Sequence, residues 1–203
     1  RPPRSTPKPS SAASDVYKRQ VQVDVLDRKA LGALFEKHRG FDYLVNAATG
    51  GSRAIGPFLE MDLDGFQNSF AKLWGYTNSV RLGVPHMSNS GAVVLISGYP
   101  ARKWRAGTIA IGSVGGSVEA FIRLGANEIK PVRLNGVSPG LIDTPMSPLE
   151  GAERANYYQK GTSEHIIPRA GTADEVAAAA IFLLENEFVT GTIIDIDGGA
   201  IAS

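Results

Sequence analysis

The sequence feature that most constrains the fold is the segment PVRLNGVSPGLIDTP, residues 131–145. Its apolar run from Val132 to Val137 predicts a buried β-strand, and this strand leads directly into a Ser-Pro-Gly turn. Pro139 fixes φ and lacks a backbone N–H, whereas Gly140 permits backbone geometry that a Cβ would forbid. Pro-Gly ends many strands without any function, but open parallel sheets also bind ligands at the carboxyl ends of their strands. The segment therefore predicts a strand inside an α/β sheet, followed by either an ordinary turn or a ligand-binding turn.

Composition narrows the class of protein. The 203 residues suit one domain with a sizeable core, and a hydrophobic content of 43% is ordinary for a soluble protein. The sequence has no Cys, which excludes disulfides and thiolate metal sites and fits a cytoplasmic protein. His38, His86 and His165 lack the spacing of metal ligands. No apolar run reaches about 18 residues, so we expect no membrane-spanning helix.

The first twenty residues differ from the rest. Residues 1–14 are rich in Pro and Ser, a composition typical of disorder. Residues 1–20 hold five of the 21 Lys and Arg residues and one of the 20 Asp and Glu residues. The rest of the chain therefore has 16 basic and 19 acidic residues. This mildly acidic body does not suggest nucleic-acid binding. A basic tail for nucleic acid is one alternative, but SSAASDVYKRQ resembles a translated sequencing adaptor. We therefore expect residues 1–20 to be a disordered tail or a scar, and the domain to begin near Val21.

Strand and helix patterns alternate from Gln20 onward, which predicts a parallel, doubly wound sheet. The predicted strands, besides the one above, are Gln20–Val25, Tyr43–Ala48, Ala92–Ser97 and Thr192–Asp197, and the predicted helices are Asp27–His38, Leu63–His86, Thr108–Ile129 and Asp174–Glu185.

Several finer expectations accompany these elements. Tyr43–Ala48 has the apolar character of a strand covered on both faces. The second helix should place Phe66, Phe70, Leu73 and Trp74 toward the core, and Thr172 should cap the last helix. Because each Gly in a helix costs about 1 kcal/mol relative to Ala, close packing should compensate for the glycines of the third helix, which are Gly112, Gly115, Gly116 and Gly125.

Four motifs in order resemble the short-chain dehydrogenase/reductase family: Asp24-Val25, Asn46-Ala47-Ala48, NGVSPGLIDTP and the C-terminal VTGTIIDIDGG. The resemblance covers about nine-tenths of the chain and implies a Rossmann-like α/β fold. It also implies NAD- or NADP-dependent oxidation or reduction of a small alcohol or carbonyl substrate, in a homo-oligomer. The residues it assigns to the cofactor are Asp24, Val25, Asn46, Ala47, Ala48, Pro139, Gly140, Ile142 and Thr144. An Asp at a strand end is also a common turn residue, and Thr49 interrupts the family's Asn-Asn-Ala-Gly motif.

The sequence departs from this family in two respects. The family begins with a strand, a Gly-rich turn and a helix, and nothing before Val21 supplies them, so we expect a truncated chain that lacks the first βαβ unit. Alignment through the Pro139 region also places Gly98, Ile111 and Gly115 at the positions of the family's Ser, Tyr and Lys, with Lys72 where an Asn is usual. The Lys72-Leu73-Trp74-Gly75 motif resembles a divergent branch. The usual proton relay is absent, so a catalytically inactive dinucleotide- or partner-binding member is an alternative, as is a fragment that does not fold stably.

Other side chains could replace the lost relay. Lys72 could polarise a carbonyl or could be a surface charge, and Tyr99 could act as an acid or could only pack. Ser97 ends its strand one residue before the usual Ser, so its side chain should point to the opposite face. We take Lys72, Ser97 and Tyr99 as the catalytic candidates. A basic run that comprises Arg102, Lys103 and Arg105 favours a solvated loop over a phosphate clamp.

Three expectations concern the whole chain. Residues 146–170 should form a mobile lid over the site, although they do not reveal the substrate. Without the first two strands of the family, Gln20–Val25 should have no native partner and Leu44–Asn46 should become an apolar edge. The chain should therefore be poorly soluble and should bind NAD or NADP weakly. We expect no nucleic-acid or membrane partner.

Overall fold

The computed structural model describes residues 19–49 and 53–203 and contains a four-stranded parallel sheet. In chain order the strands of both sheets are β1 (Phe41–Asn46), β2 (Met87–Ile96), β3 (Arg133–Pro139), β4 (Ile142–Asp143), β5 (Gly171–Thr172) and β6 (Ile193–Ile196). The main sheet has the order β1-β2-β3-β6, and β4 and β5 form a separate two-stranded parallel pair. The expected α/β fold with parallel strands is confirmed.

Six α-helices connect the strands. They are α1 (Arg28–Lys37), α2 (Leu63–Ser69), α3 (Ala71–Gly83), α4 (Ile109–Glu128), α5 (Gly151–Gly161) and α6 (Ala173–Glu185). Three 3₁₀ turns lie at Phe58–Glu60, Val84–His86 and Tyr99–Ala101. Asp27 caps α1, and Thr172 forms a full capping box with Glu175 at the start of α6, as its sequence predicted.

Two apolar clusters cover the two faces of the sheet. On one face Tyr76 and Val80 of α3 and Val118 and Ile122 of α4 pack against strand residues such as Leu95. On the other face α6 packs against β2 and β3; the buried residues there are Ala92, Val94, Val137, Ala179, Ala180, Leu183 and Leu184. The central strands read as continuous apolar runs because both of their faces are covered.

Residues 20–25 do not form a strand, contrary to the sequence-based prediction. They are extended or in a turn, and the Val25 carbonyl accepts a hydrogen bond from Asn78 Nδ2 at 3.0 Å. A Cβ on Gly75 would lie 2.6 Å from Val25 Cγ2, so the segment packs tightly against α3. An alternating β-branched sequence needs a neighbouring strand for its backbone groups, and no strand in the described part of the chain lies beside it.

The strand β1 is covered on one face only, which corrects the expectation of two covered faces. In the described part of the chain it lies at the edge of the sheet, and the side chains of Tyr43 and Val45 are about half exposed. Leu44 and Asn46 point to the other face and pack toward α3. The helix α6 covers β2 and β3 on the second face but does not cover these two side chains. The expected apolar edge strand is therefore present.

The predicted long helix after the first strand is two helices. The chain bends at Phe70, between α2 and α3, and a 3₁₀ turn follows α3. Trp74 was wrongly assigned to the core side, because its side chain is 55% exposed whereas Tyr76 and Val80 are buried. The bend shifts the helical phase, so the buried face of α3 is not the continuation of the apolar face of α2.

The helix α4 is the longest element of the described chain. It is long and apolar enough to cross a membrane by length and composition, a test that core helices of other proteins also pass. Here Val118 and Ile122 are fully buried against the sheet, which identifies α4 as a core helix. Close packing does compensate for most of its glycines, since a Cβ on Gly112 would lie 2.6 Å from the carbonyl oxygen of Pro100. Gly116 is the exception, with no atom within 4 Å of such a Cβ.

Candidate active site

The site lies at the carboxyl ends of the strands, where β2 and β3 lead into adjacent turns. The N–H of Ser97 donates to the Val137 carbonyl at 2.8 Å, which keeps the two strand ends side by side. A Cβ on Gly98 would lie 4.0 Å from the Pro139 carbonyl oxygen. The Gly98 turn and the Pro139-Gly140 turn therefore meet at the carboxyl ends of β2 and β3, where parallel sheets bind ligands.

Lys72 lies in the first turn of α3, and its side chain reaches the carboxyl end of β2. Its Nζ donates to the Ser97 carbonyl at 3.2 Å and lies 5.5 Å from the centre of the Tyr76 ring. No carboxylate of the described residues lies within 4 Å of this ammonium. Burial and, to a lesser degree, the charge of Arg53 together lower the pKa of Lys72 to about 8. A lysine with such a pKa can give or take a proton near neutral pH.

Ser97 contributes its backbone to Lys72 and its side chain to the packing of α4. The hydroxyl is buried and lies 3.3 Å from both the Gly115 carbonyl and Glu119 Oε1. A donor that is shared between these acceptors has no free proton for a substrate. The structure thus brings Lys72 and Ser97 together, but through the Ser97 carbonyl oxygen.

Tyr99 follows in the 3₁₀ turn after β2. Its side chain is buried, and its hydroxyl accepts a hydrogen bond from Arg105 Nη1 at 2.9 Å. No described contact joins it to Lys72. Its role as an acid stays a prediction.

The positions aligned with the lost relay lie around the same turn. A Cβ on Gly115 would be 3.0 Å from Ala101 Cβ and 3.5 Å from Ser97 Oγ, so this glycine allows α4 to approach the strand end closely. Ile111 lies in the first turn of α4 and is half-buried. The alignment predicts that these positions and Lys72 share one crevice. The contacts above support this for Gly98, Gly115 and Lys72. For Ile111 it stays a prediction. Neither Gly nor Ile can donate a proton.

The residues assigned to the nicotinamide end of a dinucleotide follow the carboxyl end of β3. The Gly140 N–H donates to the Ile196 carbonyl at 3.0 Å, and a Cβ there would lie 2.6 Å from the Asp197 Cα. Ile142 forms β4, and Thr144 Oγ1 accepts from the Met146 N–H at 3.4 Å. The turn is therefore a fixed backbone surface, which suits contact with a flat ring.

The end of β1 has a similar construction. The Asn46 side chain is buried, donates to Ser79 Oγ at 2.7 Å and accepts from the Ala48 N–H at 3.0 Å. This amide fixes the strand end and leaves the small residues Ala47 and Ala48 beside the edge. Small residues at this place leave room for a cofactor.

Asp24 and Val25 lie apart from the strands. Asp24 Oδ1 accepts from the Leu26 N–H at 2.8 Å, which is the bond of an ordinary Asx turn. The adenine contact that the resemblance assigns to these two residues stays a prediction.

The described residues fit the nicotinamide end of NAD or NADP. A pyrophosphate is usually bound by a Gly-rich turn at the N-terminus of a helix, and the described residues include no such turn beside β1.

An ion network around the buried Glu119, beside the site, was not predicted. Glu119 is 2% exposed on α4 and accepts from Arg102 Nε at 3.1 Å and Arg123 Nη2 at 2.9 Å. Arg102 also forms an ion pair with Asp195 of β6. The basic run thus lies in an exposed loop, as expected, but protein groups bind its Arg102 side chain. A Glu among the buried positions of an apolar helix is the signal that could have revealed this network.

The other two members of the basic run also bind protein groups. Lys103 Nζ donates to the carbonyls of Ala200 at 2.6 Å and Ser203 at 2.8 Å, and Arg105 donates to Tyr99. These contacts tie the turn after β2 to the C-terminal residues. The turn that carries Gly98 is thus held by three cationic side chains.

The segment 146–170 contains α5 and is tied to the turn after β3. Arg154 donates to the carbonyls of Thr144 at 2.8 Å and Leu149 at 3.0 Å and forms an ion pair with Asp143. The helix therefore stands beside the Pro139 turn, the position expected of a lid. Its mobility stays a prediction.

Comparison with known proteins agrees with this geometry. Residues 4–200 match the family model described as enoyl-(acyl carrier protein) reductase. The chain is 32% identical over 168 residues to the 3-oxoacyl-[acyl-carrier-protein] reductase of Rattus norvegicus, a match that covers 81% of this chain and 68% of that protein. It is 31% identical over 116 residues to FabG of Chlamydia muridarum, and there the match spans about half of the relative's length, 46%.

A solved structure of the same kind is close to this one. The crystal structure of a small-chain dehydrogenase in complex with NADPH superposes with a TM-score of 0.83 at 30% identity, and the match covers 89% of this chain and 83% of that one. The parallel sheet, the turn after β3 and these similarities lead to one assignment. The chain belongs to the short-chain dehydrogenase/reductase family, a family of NAD(P)-dependent oxidoreductases with a Rossmann-like fold.

Proposed function

We propose that this chain catalyses NAD(P)-dependent interconversion of an alcohol and a carbonyl compound, with Lys72 as the acid and base. The observation that carries the proposal is the position of Lys72 Nζ, 3.2 Å from the Ser97 carbonyl at the carboxyl end of β2. This position is next to the Pro139-Gly140 turn, and a lysine with a pKa of about 8 supplies the titratable group that Ile111 and Gly115 cannot.

Each protein group has a defined task in reduction. The Lys72 ammonium has one donor bonded to Ser97, so its other N–H groups are available to a substrate carbonyl oxygen. A bound NAD(P)H would supply the hydride that adds to the carbonyl carbon. Lys72 then transfers one proton to the carbonyl oxygen and is reprotonated from solvent. In the reverse direction neutral Lys72 accepts the proton of the alcohol.

The experiment measures reduction of a carbonyl panel at millimolar NADPH and NADH, followed by a pH profile for the best substrate. We expect kcat for reduction to fall as the pH rises through about 8, because the acid form of Lys72 is lost. Lys72→Met should lower kcat by about 100-fold or more, and the exposed-site control Lys37→Met should not. A profile that is flat between pH 6 and 10, or an active Lys72→Met variant, would contradict the proposal.

A second function is favoured by one specific observation. The positions of the family's Ser, Tyr and Lys are Gly98, Ile111 and Gly115, and Tyr99 and Ser97 are already engaged in protein hydrogen bonds. A dinucleotide-binding member without catalysis would have this site. Saturable NADPH binding without turnover of any panel substrate, together with full stability of the protein, would select this alternative.

A further inference from the structure

One carboxylate oxygen on α4 binds both ends of the turn that follows β2. Glu119 Oε1 accepts a hydrogen bond from Ser97 Oγ at 3.3 Å and another from Arg102 Nε at 3.1 Å. Ser97 directly follows β2, and Arg102 directly follows the 3₁₀ turn Tyr99–Ala101. The two contacts therefore close the segment 97–102 around a single oxygen atom.

This segment packs directly against α4. Gly112, Gly115 and Glu119 lie on one face of the helix, because they are three and four residues apart. A Cβ on Gly112 would lie 2.6 Å from the Pro100 carbonyl oxygen. A Cβ on Gly115 would lie 3.0 Å from Ala101 Cβ. The two glycines let the turn approach the helix backbone, and Glu119, one helical turn further on, supplies the polar contact that holds it there.

The same segment presents the carbonyl group that binds Lys72. The Ser97 carbonyl oxygen accepts from Lys72 Nζ at 3.2 Å, and no other donor of the described residues reaches this oxygen. The peptide between Ser97 and Gly98 sets the direction of the carbonyl, and a residue without a Cβ does little to restrict that peptide. The direction therefore depends on the contacts of the Ser97 side chain and on the closure of the turn.

Stability alone does not explain an acid at this position. Glu119 is 2% exposed, whereas the side chains of its partners Arg102 and Arg123 are 32% and 54% exposed. The carboxylate is desolvated, and an apolar residue of similar length would fill this place on the helix without that cost. Two guanidinium groups neutralise the charge of Glu119, so its effect on the site passes through the shape of the turn.

We propose that Glu119 is a positioning residue for proton transfer by Lys72. The inference rests on the proposed function. Glu119 Oε1 fixes the segment 97–102, and this segment holds the Lys72 ammonium at the carboxyl end of β2 through the Ser97 carbonyl. Proton transfer requires an acid in a fixed place, and a displacement of about 1 Å can lower a rate by about 100-fold.

The kinetic experiment compares three variants of this network. Glu119→Met keeps the length of the side chain but removes the acceptor. It should lower kcat for carbonyl reduction by about tenfold or more and leave KM for substrate and NADPH within about twofold, because proton transfer and not binding is impaired. Glu119→Gln keeps an oxygen for Ser97 and Arg102 and should restore kcat to within about threefold of the wild type. Arg123→Gln is the matched control: it removes an ion pair from the same carboxylate, leaves the Oε1 contacts intact and should keep kcat within about twofold.

A second measurement does not need turnover. The NMR order parameter of the Lys72 Cε methylene, assigned by its absence in Lys72→Met, reports how firmly the ammonium is held. It should fall in Glu119→Met and stay at the wild-type value in Glu119→Gln and Arg123→Gln. Should Glu119→Met fail to fold, Ser97→Ala replaces it in both experiments, because this change removes one Oε1 contact and leaves the ion pairs intact.

The two measurements separate failure of this inference from failure of the proposed function. An order parameter that falls as expected, in a protein that reduces no panel substrate, supports the positioning of Lys72 by Glu119 and contradicts the catalytic proposal. An active protein in which Glu119→Met, or Ser97→Ala in its place, keeps both kcat and the order parameter overturns the inference alone. Arg123→Gln with the same loss of kcat as Glu119→Met also overturns it, because the loss would then follow the ion network and not the Oε1 contacts.

Discussion

Two buried serines at the carboxyl ends of neighbouring strands have opposite surroundings. The register pairs Ile96 with Val137, so Ser97 and Ser138 follow side by side. Ser97 has two acceptors on α4, whereas the Ser138 hydroxyl is fully buried without a partner in the described structure. An unpaired buried hydroxyl costs free energy that an alanine methyl does not.

Replacing these serines should therefore have opposite effects on stability. Ser138→Ala should raise the free energy of unfolding by about 1 kcal/mol, because it removes an unsatisfied group. Ser97→Ala should lower it by about 1 kcal/mol, because the Glu119 carboxylate and the Gly115 carbonyl lose a donor. Urea unfolding monitored by Trp fluorescence measures both. A destabilised Ser138→Ala variant would show that a bound water or ligand satisfies this hydroxyl.

Glu119 shows at the scale of one residue that the sequence can indicate a buried acid but not the partners of that acid. The spacing along the sequence between Lys72 and the Pro139 motif predicted that Lys72 lies at the site. The bond from its ammonium to the carbonyl at the end of β2 agrees with that alignment. The partners of Glu119 lie on the turn after β2 and on its own helix, and Asp195 enters through β6. Such a network depends on the three-dimensional approach of segments, and local periodicity does not encode that approach.

At the scale of one element, the glycines of α4 have different reasons to be present. A Cβ on Gly112 would collide with the Pro100 carbonyl at 2.6 Å, whereas a Cβ on Gly116 would meet nothing within 4 Å. Gly116→Ala should raise the free energy of unfolding by about 1 kcal/mol through helix propensity alone. Gly112→Ala should lower it, because the 3₁₀ turn at Tyr99–Ala101 must move. Equal thermal shifts of the two variants would contradict this assignment.

The segment that contains α5 makes a second prediction at this scale. Residues 146–170 are held by Arg154 at one end and by the bond from the Ile167 N–H to the Gly198 carbonyl at the other. The side chain of Ile166 is 67% exposed and that of Ile167 is 50% exposed. We expect the backbone amides of α5 to exchange with deuterium faster than those of α4, and to slow when NADPH and substrate are both present. Equal protection of α4 and α5 in the free protein would count against a lid.

The elements were predicted well where a segment meets the same environment along its whole length. The apolar runs of β2 and β3 and the capped helix α6 are examples, since both faces of the strands are covered and Thr172 fixes the start of the helix. The prediction failed where an element depends on a neighbour. Residues 20–25 have strand propensity but no adjacent strand, and the bend at Phe70 changes which face of α3 is buried.

At the scale of the whole molecule, the open edge of the sheet governs behaviour in solution. Among residues 19–49 and 53–203, no strand pairs with the outer side of β1, which presents its backbone groups there together with the half-exposed side chains of Tyr43 and Val45. Such an edge can pair with the edge of another molecule. We therefore expect the chain to self-associate in a concentration-dependent manner.

A charge on this edge should suppress the association. Val45→Lys should shift the protein toward a monomer in size-exclusion chromatography with light scattering, whereas Leu59→Lys, at a side chain that is 95% exposed on a 3₁₀ turn, should not. In the same samples we expect weak NADPH binding, because no Gly-rich pyrophosphate turn stands beside β1 in the described residues. A monodisperse wild-type sample with micromolar NADPH affinity would contradict both expectations.

The bonds from Lys103 to the carbonyls of Ala200 and Ser203 have a practical consequence for handling the protein. They couple residues 200–203 to the turn that carries Gly98 and Tyr99, so a change in residues 200–203 alters the mouth of the site. A label attached within residues 200–203 would move these carbonyls away from the Lys103 ammonium and loosen that turn. Dyes and surface attachment at these residues would therefore alter the apparent substrate affinity.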